Sequence, residues 1–338
     1  HPMNSAIIKG MGYYVPENVV TNDDLSKIMD TNDAWITERT GIKERRWIDT
    51  SKKVESTSSM ALEASKNAIK DAGIDKADID FIVFATLSPD YYFPGPGVTL
   101  QQELGLDTIG ALDVRNQCSG FVYALSVADQ YIKSGMYKNI LVVGSEYHSG
   151  GLDKSTRGRG VTVIFGDGAG AAIVSKSPSE DRGILSTHLH SQGEHAEELT
   201  LIGPSTRRWV PEVIDNGGKE DNAIFPYMNG TFVFKHAVTR FPQVIGEALD
   251  QNNLQSTDID MLIPHQANLR ISQYVQKKMR LRDDQVFNNI QKYGNTTAAS
   301  IPIALAEAKQ KGLVKEGDLV CLAAFGSGFT WASALIRW

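Results

Sequence analysis

Ala68-Ile-Lys-Asp-Ala-Gly-Ile-Asp-Lys-Ala-Asp-Ile-Asp-Phe-Ile-Val-Phe84 has a counterpart in the same chain, Ala248-Leu-Asp-Gln-Asn-Asn-Leu-Gln-Ser-Thr-Asp-Ile-Asp-Met-Leu-Ile-Pro264, with Asp80 and Asp260 180 positions apart. Each stretch reads as a helix end, a short loop and a strand apolar enough to be buried on both faces. A second pair follows at nearly the same offset. Lys133-Ser-Gly135 with Ile140-Leu-Val-Val-Gly144 matches Gln310-Lys-Gly312 with Leu319-Val-Cys-Leu322. Two matches at one offset predict a duplicated chain, with halves at residues 3–175 and 176–338. Helices alternating with buried strands in each half predict a layered α/β fold. Corresponding loops of duplicated halves lie around a pseudo-twofold axis and face each other.

The 338 residues are 41% hydrophobic, which supports a large core, and the net charge of -6 argues against general attraction to nucleic acid or anionic lipid. The two cysteines, Cys118 and Cys321, form neither a disulfide framework nor a zinc pattern, and they suit a reducing, cytoplasmic setting. The longest strictly apolar run, Leu319 to Phe325, is far too short to span a membrane, and no signal peptide is expected.

Between the matched segments lies Ala111-Leu-Asp-Val-Arg-Asn-Gln-Cys-Ser-Gly-Phe-Val-Tyr-Ala-Leu125. Ala111 to Val114 reads as the end of a buried strand, Cys118 to Gly120 as a tight turn, and Phe121 to Lys133 as a helix. A thiol at a helix N-terminus meets free N–H groups and the positive end of the dipole, which predicts a lowered pKa. Cys118 is therefore a candidate nucleophile; a small buried hydrophobe is the other reading of a free cysteine. In the second half, His265 follows the strand Ile259 to Ile263, and Asn295 lies in the turn before a helix at Ala298 to Ala308. A thiol with two neutral donors suits thioester chemistry through an oxyanion or enolate. No carboxylate adjoins His265 in sequence to complete a triad.

Two glycine-rich runs remain. Val161 to Val174 reads as a strand, a hairpin turn at Asp167-Gly168 and a second strand, not a phosphate loop. In Phe325-Gly-Ser-Gly-Phe-Thr-Trp331 the glycines let backbone approach another group closely, and one N–H there is placed to pair with that of Cys118 as an oxyanion hole.

At these residues the chain resembles the β-ketoacyl-acyl-carrier-protein synthase III family of the thiolase superfamily, from about Ala6 to Trp338. The motifs are Thr31-Asn-Asp-Ala-Trp-Ile, Arg39-Thr-Gly-Ile-Lys-Glu-Arg45, Cys118-Ser-Gly-Phe, Ala124-Leu-Ser-Val-Ala-Asp-Gln130, Phe165-Gly-Asp-Gly-Ala-Gly-Ala-Ala172, Pro264-His-Gln-Ala-Asn-Leu-Arg270, Gly294-Asn-Thr-Thr-Ala-Ala-Ser300 and Phe325 to Trp331. The resemblance implies a homodimer of the five-layered αβαβα thiolase-like fold. It implies a decarboxylating condensation of an acyl-CoA primer with malonyl-acyl carrier protein, through an acyl-Cys118 intermediate, that initiates fatty acid synthesis without a cofactor or metal. Cys118, His265 and Asn295 become the catalytic set, and the N–H groups of Cys118 and Ser327 the oxyanion hole.

The same resemblance implies a CoA and pantetheine tunnel at Thr31, Trp35, Arg39, Arg159, Gly230, Phe234 and Asn268, with Arg157 competing with Arg159 for the adenine. It implies carrier-protein docking at Lys235, Arg270, Lys277 and Lys278; a solvated charged face is the other reading of that helix. Phe93, Gln117 and Phe165 fall at the acyl pocket, Phe93 in that of the other subunit. The chain departs from the common pattern at Arg115-Asn-Gln117, at Ser145 to Thr156 and in a longer Gly203 to Pro226 segment, and it carries Ser327 in place of a frequent glycine. These departures leave the primer and the acceptor open. A specialised condensing or acyl-transfer enzyme of secondary metabolism in the same family is the alternative. A cysteine peptidase also uses Cys, His and Asn, but its local cysteine motif is absent.

Overall fold

The computed structural model describes residues 5–338, so residues 3 and 4 of the expected first half lie outside it. Nine strands form two sheets: β1 (Ala6–Tyr14), β2 (Phe81–Ala85), β3 (Gly110–Val114), β4 (Asn139–Glu146), β5 (Gly168–Lys176), β6 (Gly183–Ser191), β7 (Met261–Pro264), β8 (Leu319–Gly326) and β9 (Thr330–Arg337). The first sheet has the order β1-β5-β4-β2-β3 and the second β7-β8-β9-β6. β2 and β4 run parallel, as do β7 and β8, while β4 with β5 and β8 with β9 run antiparallel. The sheets are copies, with β3 as an extra edge on the first.

The matched aspartates show why the sequence repeats. Asp80 accepts from the N–H groups of Lys138 and Asn139 at 2.9 and 3.1 Å, and Asp260 accepts from that of Leu319 at 2.7 Å. Each carboxylate fastens the strand it precedes, β2 or β7, to the start of its parallel neighbour, β4 or β8, and so sets the register of the pair. The offset persists: β2 and β7 start at Phe81 and Met261, β4 and β8 at Asn139 and Leu319, 180 positions apart in each pair.

Seven helices matter here: α1 (Asp33–Thr40), α2 (Thr57–Ala72), α3 (Pro96–Glu103), α4 (Gly120–Lys133), α5 (Gly230–Gln251), α6 (Leu269–Lys278) and α7 (Ser300–Gln310). α4 and α7 fill the layer between the sheets. Phe121, Leu125, Ala128 and Ile132 of α4 and Ile301, Ala304, Leu305 and Ala308 of α7 join Val83, Val142, Ile263 and Leu322 in one cluster. α2 covers the outer face of the first sheet, and α5 with α6 that of the second. This is the five-layered αβαβα thiolase-like arrangement. Burying each large apolar side chain contributes about 1.5–3 kcal/mol, so the two-sided central layer is the main source of cohesion.

Two local expectations change. β3 is an edge strand, not a buried one, with Leu112 exposed, because nothing among the described residues pairs beyond it. The expected hairpin at Asp167-Gly168 does not form. A helical turn (Arg159–Thr162) precedes it, and the buried Asp167 carboxylate accepts from the N–H groups of Ile48, His148 and Ser149 and from the Ser149 hydroxyl.

Candidate active site

Cys118 sits in a 3-10 turn, Gln117–Ser119, that runs straight into α4. Gln117 adopts a positive φ of 47°, which turns the chain sharply enough to bring Cys118 onto the end of β8. A Cβ at Gly326 would lie 2.5 Å from the Cys118 sulfur, so glycine there is a steric requirement of the nucleophile's seat. Gly120 is likewise confined, with the Cβ atoms of Ala85 and Ala298 each 3.3 Å from where its own would be.

The lowered thiol pKa expected from the helix terminus is overturned. Cys118 is 7% exposed, and burial pushes its thiol up to about 12. The N–H groups of Ser327 and of Cys118 itself bear on the sulfur and pull downward, while the nearby Glu146 carboxylate adds to the rise. Desolvation outweighs the local donors, so the resting group is a neutral thiol.

The matching turn in the second half, Thr297–Ala299, also opens on a positive φ, 53° at Thr297, and runs into α7. It packs against the Cys118 turn and against β4. Asn295 is fixed in front of it. Its N–H donates to Ile164 at 2.8 Å, its carbonyl accepts from Gly166 at 3.0 Å, and its Oδ1 accepts from the Thr297 N–H at 2.8 Å. The Asn295 amide is thereby oriented with its NH2 left to donate. His265 follows β7, and its N–H reaches the Ala323 carbonyl at 2.7 Å. Its Nδ1 bonds the Ser300 hydroxyl, and its buried Nε2 has no partner among the described residues. Burial lowers the imidazole to about 3, so it is neutral. Contacts between the two turns, and the bonds from α7 and its turn to His265 and Asn295, tie all three side chains to one junction of the halves.

Glu146, at the end of β4, went unnoticed in the sequence. Its Oε1 accepts from Thr86 at 2.7 Å, Leu87 at 2.9 Å and Ser88 at 2.8 Å, and its Oε2 from the Ala298 N–H at 3.3 Å. Burial raises it to about 7 against the effect of those bonds. The one available signal was an acid closing a strand whose middle, Ile140 to Val143, is a run of large apolar residues.

The residues implied for CoA come from α1 and the segment before it, the turn at Arg159, and the starts of α5 and α6. Trp35 has the Arg39 guanidinium 4.2 Å from its ring centre and that of Arg159 at 6.0 Å. Arg157 is engaged elsewhere, with Asp153 at 2.7 Å and with the 203–226 segment through the carbonyls of Lys219 and Glu220. Asn268 caps α6 through the Arg270 N–H at 2.9 Å and reaches the Arg39 carbonyl at 3.1 Å. Thr31 has a buried hydroxyl without a partner among the described residues. Gly230 opens α5 with open space where a side chain would be, and Phe234 is half-buried on the same helix. Lys235, Arg270, Lys277 and Lys278 are exposed and enter no ion pair among the described residues. Phe165 is buried in a bridge with Asn295, and Gln117 is half-buried beside the thiol. Phe93 is 81% exposed and closes no pocket of its own chain. Among the described residues no group of three His, Cys, Asp or Glu is placed to hold a metal, and no helix is long and apolar enough to cross a membrane.

Two family models match the chain, 3-oxoacyl-(acyl-carrier-protein) synthase III at residues 112–193 and the C-terminal region of the same family at 249–338. The chain is 47% identical over 336 residues to a β-ketoacyl-(acyl-carrier-protein) synthase III of Pseudoalteromonas atlantica, covering 99% of this chain and 100% of the relative. It is 45% identical to the protein of that name from Caldanaerobacter subterraneus, covering 99% and 98%. The crystal structure of 3-oxoacyl-(acyl-carrier-protein) synthase III from Aquifex aeolicus superposes with a TM-score of 0.89 at 41% identity, covering 98% of this chain and 100% of that one.

Proposed function

Because the chain belongs to the 3-oxoacyl-(acyl-carrier-protein) synthase III family, we infer its chemistry from that premise and assign the steps to residues. It is an acyltransferase that condenses an acyl-CoA primer with malonyl-acyl carrier protein, releasing carbon dioxide and giving a 3-oxoacyl-carrier protein, the step that starts fatty acid synthesis.

The assignment begins at the sulfur. Cys118 attacks the thioester carbon of acyl-CoA, a carbon–sulfur bond forms, and CoA leaves with the proton the neutral thiol gives up. The oxyanion rests on the N–H groups of Cys118 and Ser327, which already bear on that sulfur; one such donor is worth about 3 kcal/mol. Malonyl-carrier protein then places its thioester oxygen against His265 Nε2 and the Asn295 amide. The carbon–carbon bond to the carboxylate breaks, carbon dioxide leaves, and the electron pair moves into an enolate held by two neutral donors. The enolate carbon attacks the acyl-Cys118 carbonyl, the carbon–sulfur bond breaks, and the departing thiolate takes up one proton from solvent to restore the thiol. Nothing is oxidised or reduced and each developing charge meets an N–H, so no cofactor enters the proposal.

Partners follow from the surface. The unpaired cations Lys235, Arg270, Lys277 and Lys278 suit an acidic carrier protein. Trp35, with the guanidiniums of Arg39 and of the Asp30-paired Arg159 near its ring, suits the CoA adenine and phosphates. The open edge of β3, beside the exposed Tyr91, Tyr92 and Phe93, suits a homodimer in which Phe93 reaches the partner's acyl pocket. The halves, residues 3–175 and 176–338, divide at the last residue of β5, and two free cysteines suit the cytoplasm.

The observation that carries the reading is a buried, neutral His265 whose Nε2 has no partner among the described residues, held by the same helix whose preceding turn orients the Asn295 amide to donate. The test is condensation by the purified protein of acetyl-CoA with malonyl-carrier protein, in parallel with longer and branched acyl-CoA. One CoA and one carbon dioxide per 3-oxoacyl-carrier protein are expected. Carbon dioxide release with no condensed product from any primer would overturn it.

A further inference from the structure

We propose that Ser300 is a positioning residue that locks His265 in the tautomer bearing its proton on Nε2, so that the ring presents a hydrogen-bond donor and not a lone pair. The proposal rests on the role given above to His265. Ser300 is the first residue of α7, where a serine reads as a helix cap, yet its hydroxyl caps no helical N–H. It looks instead across 35 positions of sequence to Nδ1 of His265.

The direction of that bond follows from the neighbours. The Gln266 N–H points at the Ser300 oxygen at 3.2 Å, and a backbone N–H can only donate. A serine hydroxyl has one hydrogen and two acceptor sites. Ser300 is buried, and Nδ1 is the sole acceptor bonded to it among the described residues. If Nδ1 carried the proton, three hydrogens would converge on this oxygen and the buried hydroxyl hydrogen would have no acceptor. The hydroxyl therefore donates to Nδ1. In a neutral ring the remaining proton must sit on Nε2, the nitrogen left without a partner among the described residues.

The frame around the bond is rigid. The Gln266 amide donates to the Pro264 carbonyl at 2.7 Å and accepts from the N–H groups of Asn289 and Ile290 at 3.0 and 3.1 Å. Those bonds tie the His265 loop to the segment that leads to Asn295. Ser300 thus makes the orientation of His265 depend on the same helix whose preceding turn orients Asn295.

The test is a two-bond proton–nitrogen NMR correlation on the protein labelled with 15N-histidine, with the His265 signals assigned by their loss in His265→Ala. The wild type should show Nδ1 unprotonated and Nε2 protonated. Ser300→Ala should show a mixture of tautomers, and Ser300→Thr, which keeps a hydroxyl, should restore the single one. In kinetics, the ratio of Cys118 acylation rate to malonyl decarboxylation rate should rise about tenfold in Ser300→Ala and return in Ser300→Thr. A wild-type ring protonated on Nδ1 would overturn the proposal, as would an unmixed Nε2–H ring with an unchanged rate ratio in Ser300→Ala. Normal decarboxylation by His265→Ala would instead overturn the role of His265 itself, whatever the tautomer.

Discussion

Gln117-Cys118-Ser119-Gly120 and Thr297-Ala298-Ala299-Ser300 occupy the same place in the two halves, 180 positions apart. Both open on a residue of positive φ, both form one 3-10 turn, and both run into a central helix. Each lies against the end of the other half's strand, Cys118 on Gly326 and Ala298 on Glu146. The backbone of an oxyanion site is thus built twice. In the second copy the Glu146 carboxylate accepts the Ala298 N–H, whereas in the first the opposing strand ends in glycine and the Cys118 N–H faces the sulfur. Duplication supplied the turn; the strand end opposite it decides whether the N–H is filled or open to a ligand.

The first way to break this comparison is to ask whether the Cys118 turn behaves as a helix terminus or as a buried site. With the thiol near 12, the thiolate fraction at pH 8 is roughly a thousandfold below that of a free cysteine near 8.5. Alkylation of Cys118 by iodoacetamide should be slower by about that factor and should climb with pH without a plateau up to pH 9. A plateau below pH 8 would restore the helix-terminus effect.

Next comes the second turn's own contribution. Asn295→Ala should lower malonyl decarboxylation about a hundredfold, measured as carbon dioxide release, and slow Cys118 acylation far less. Equal losses in both half-reactions would contradict a role confined to the enolate. Gly326→Ala tests the opposing strand end. Its Cβ overlaps the sulfur, so acylation should fall up to about a hundredfold and stability by about 1–3 kcal/mol in denaturant unfolding. The smallest effect should come from outside the junction. Arg270→Glu with Lys278→Glu should raise the KM for carrier protein several-fold, more at low salt, and leave that for acyl-CoA unchanged. An unchanged carrier-protein KM would return α6 to a solvated face.

The repeat was legible because Asp80 and Asp260 do one local job, closing a helix–strand connection, and local jobs leave local patterns. The turn at Cys118 and the glycines at 326 and 328 were legible for the same reason. What stayed hidden depends on contacts across the fold. Ser300 looks like a cap until His265 is placed beside it, and Glu146 is a strand-end acid until Ala298 meets it. The thiol was misjudged because sequence displays the donors of a helix end but not the water removed when two sheets close over it. β3 was misread because an edge and a centre strand differ only in what pairs with them.

Cys118 alone becomes acylated in this mechanism. Incubation with acetyl-CoA in the absence of malonyl-carrier protein, followed by intact-mass and peptide-mass measurement, tests it directly. The expected result is one acetyl group per chain, on the peptide containing Cys118, lost when malonyl-carrier protein is added and absent in Cys118→Ala. An acetyl group on another residue, or none while condensation proceeds, would contradict it.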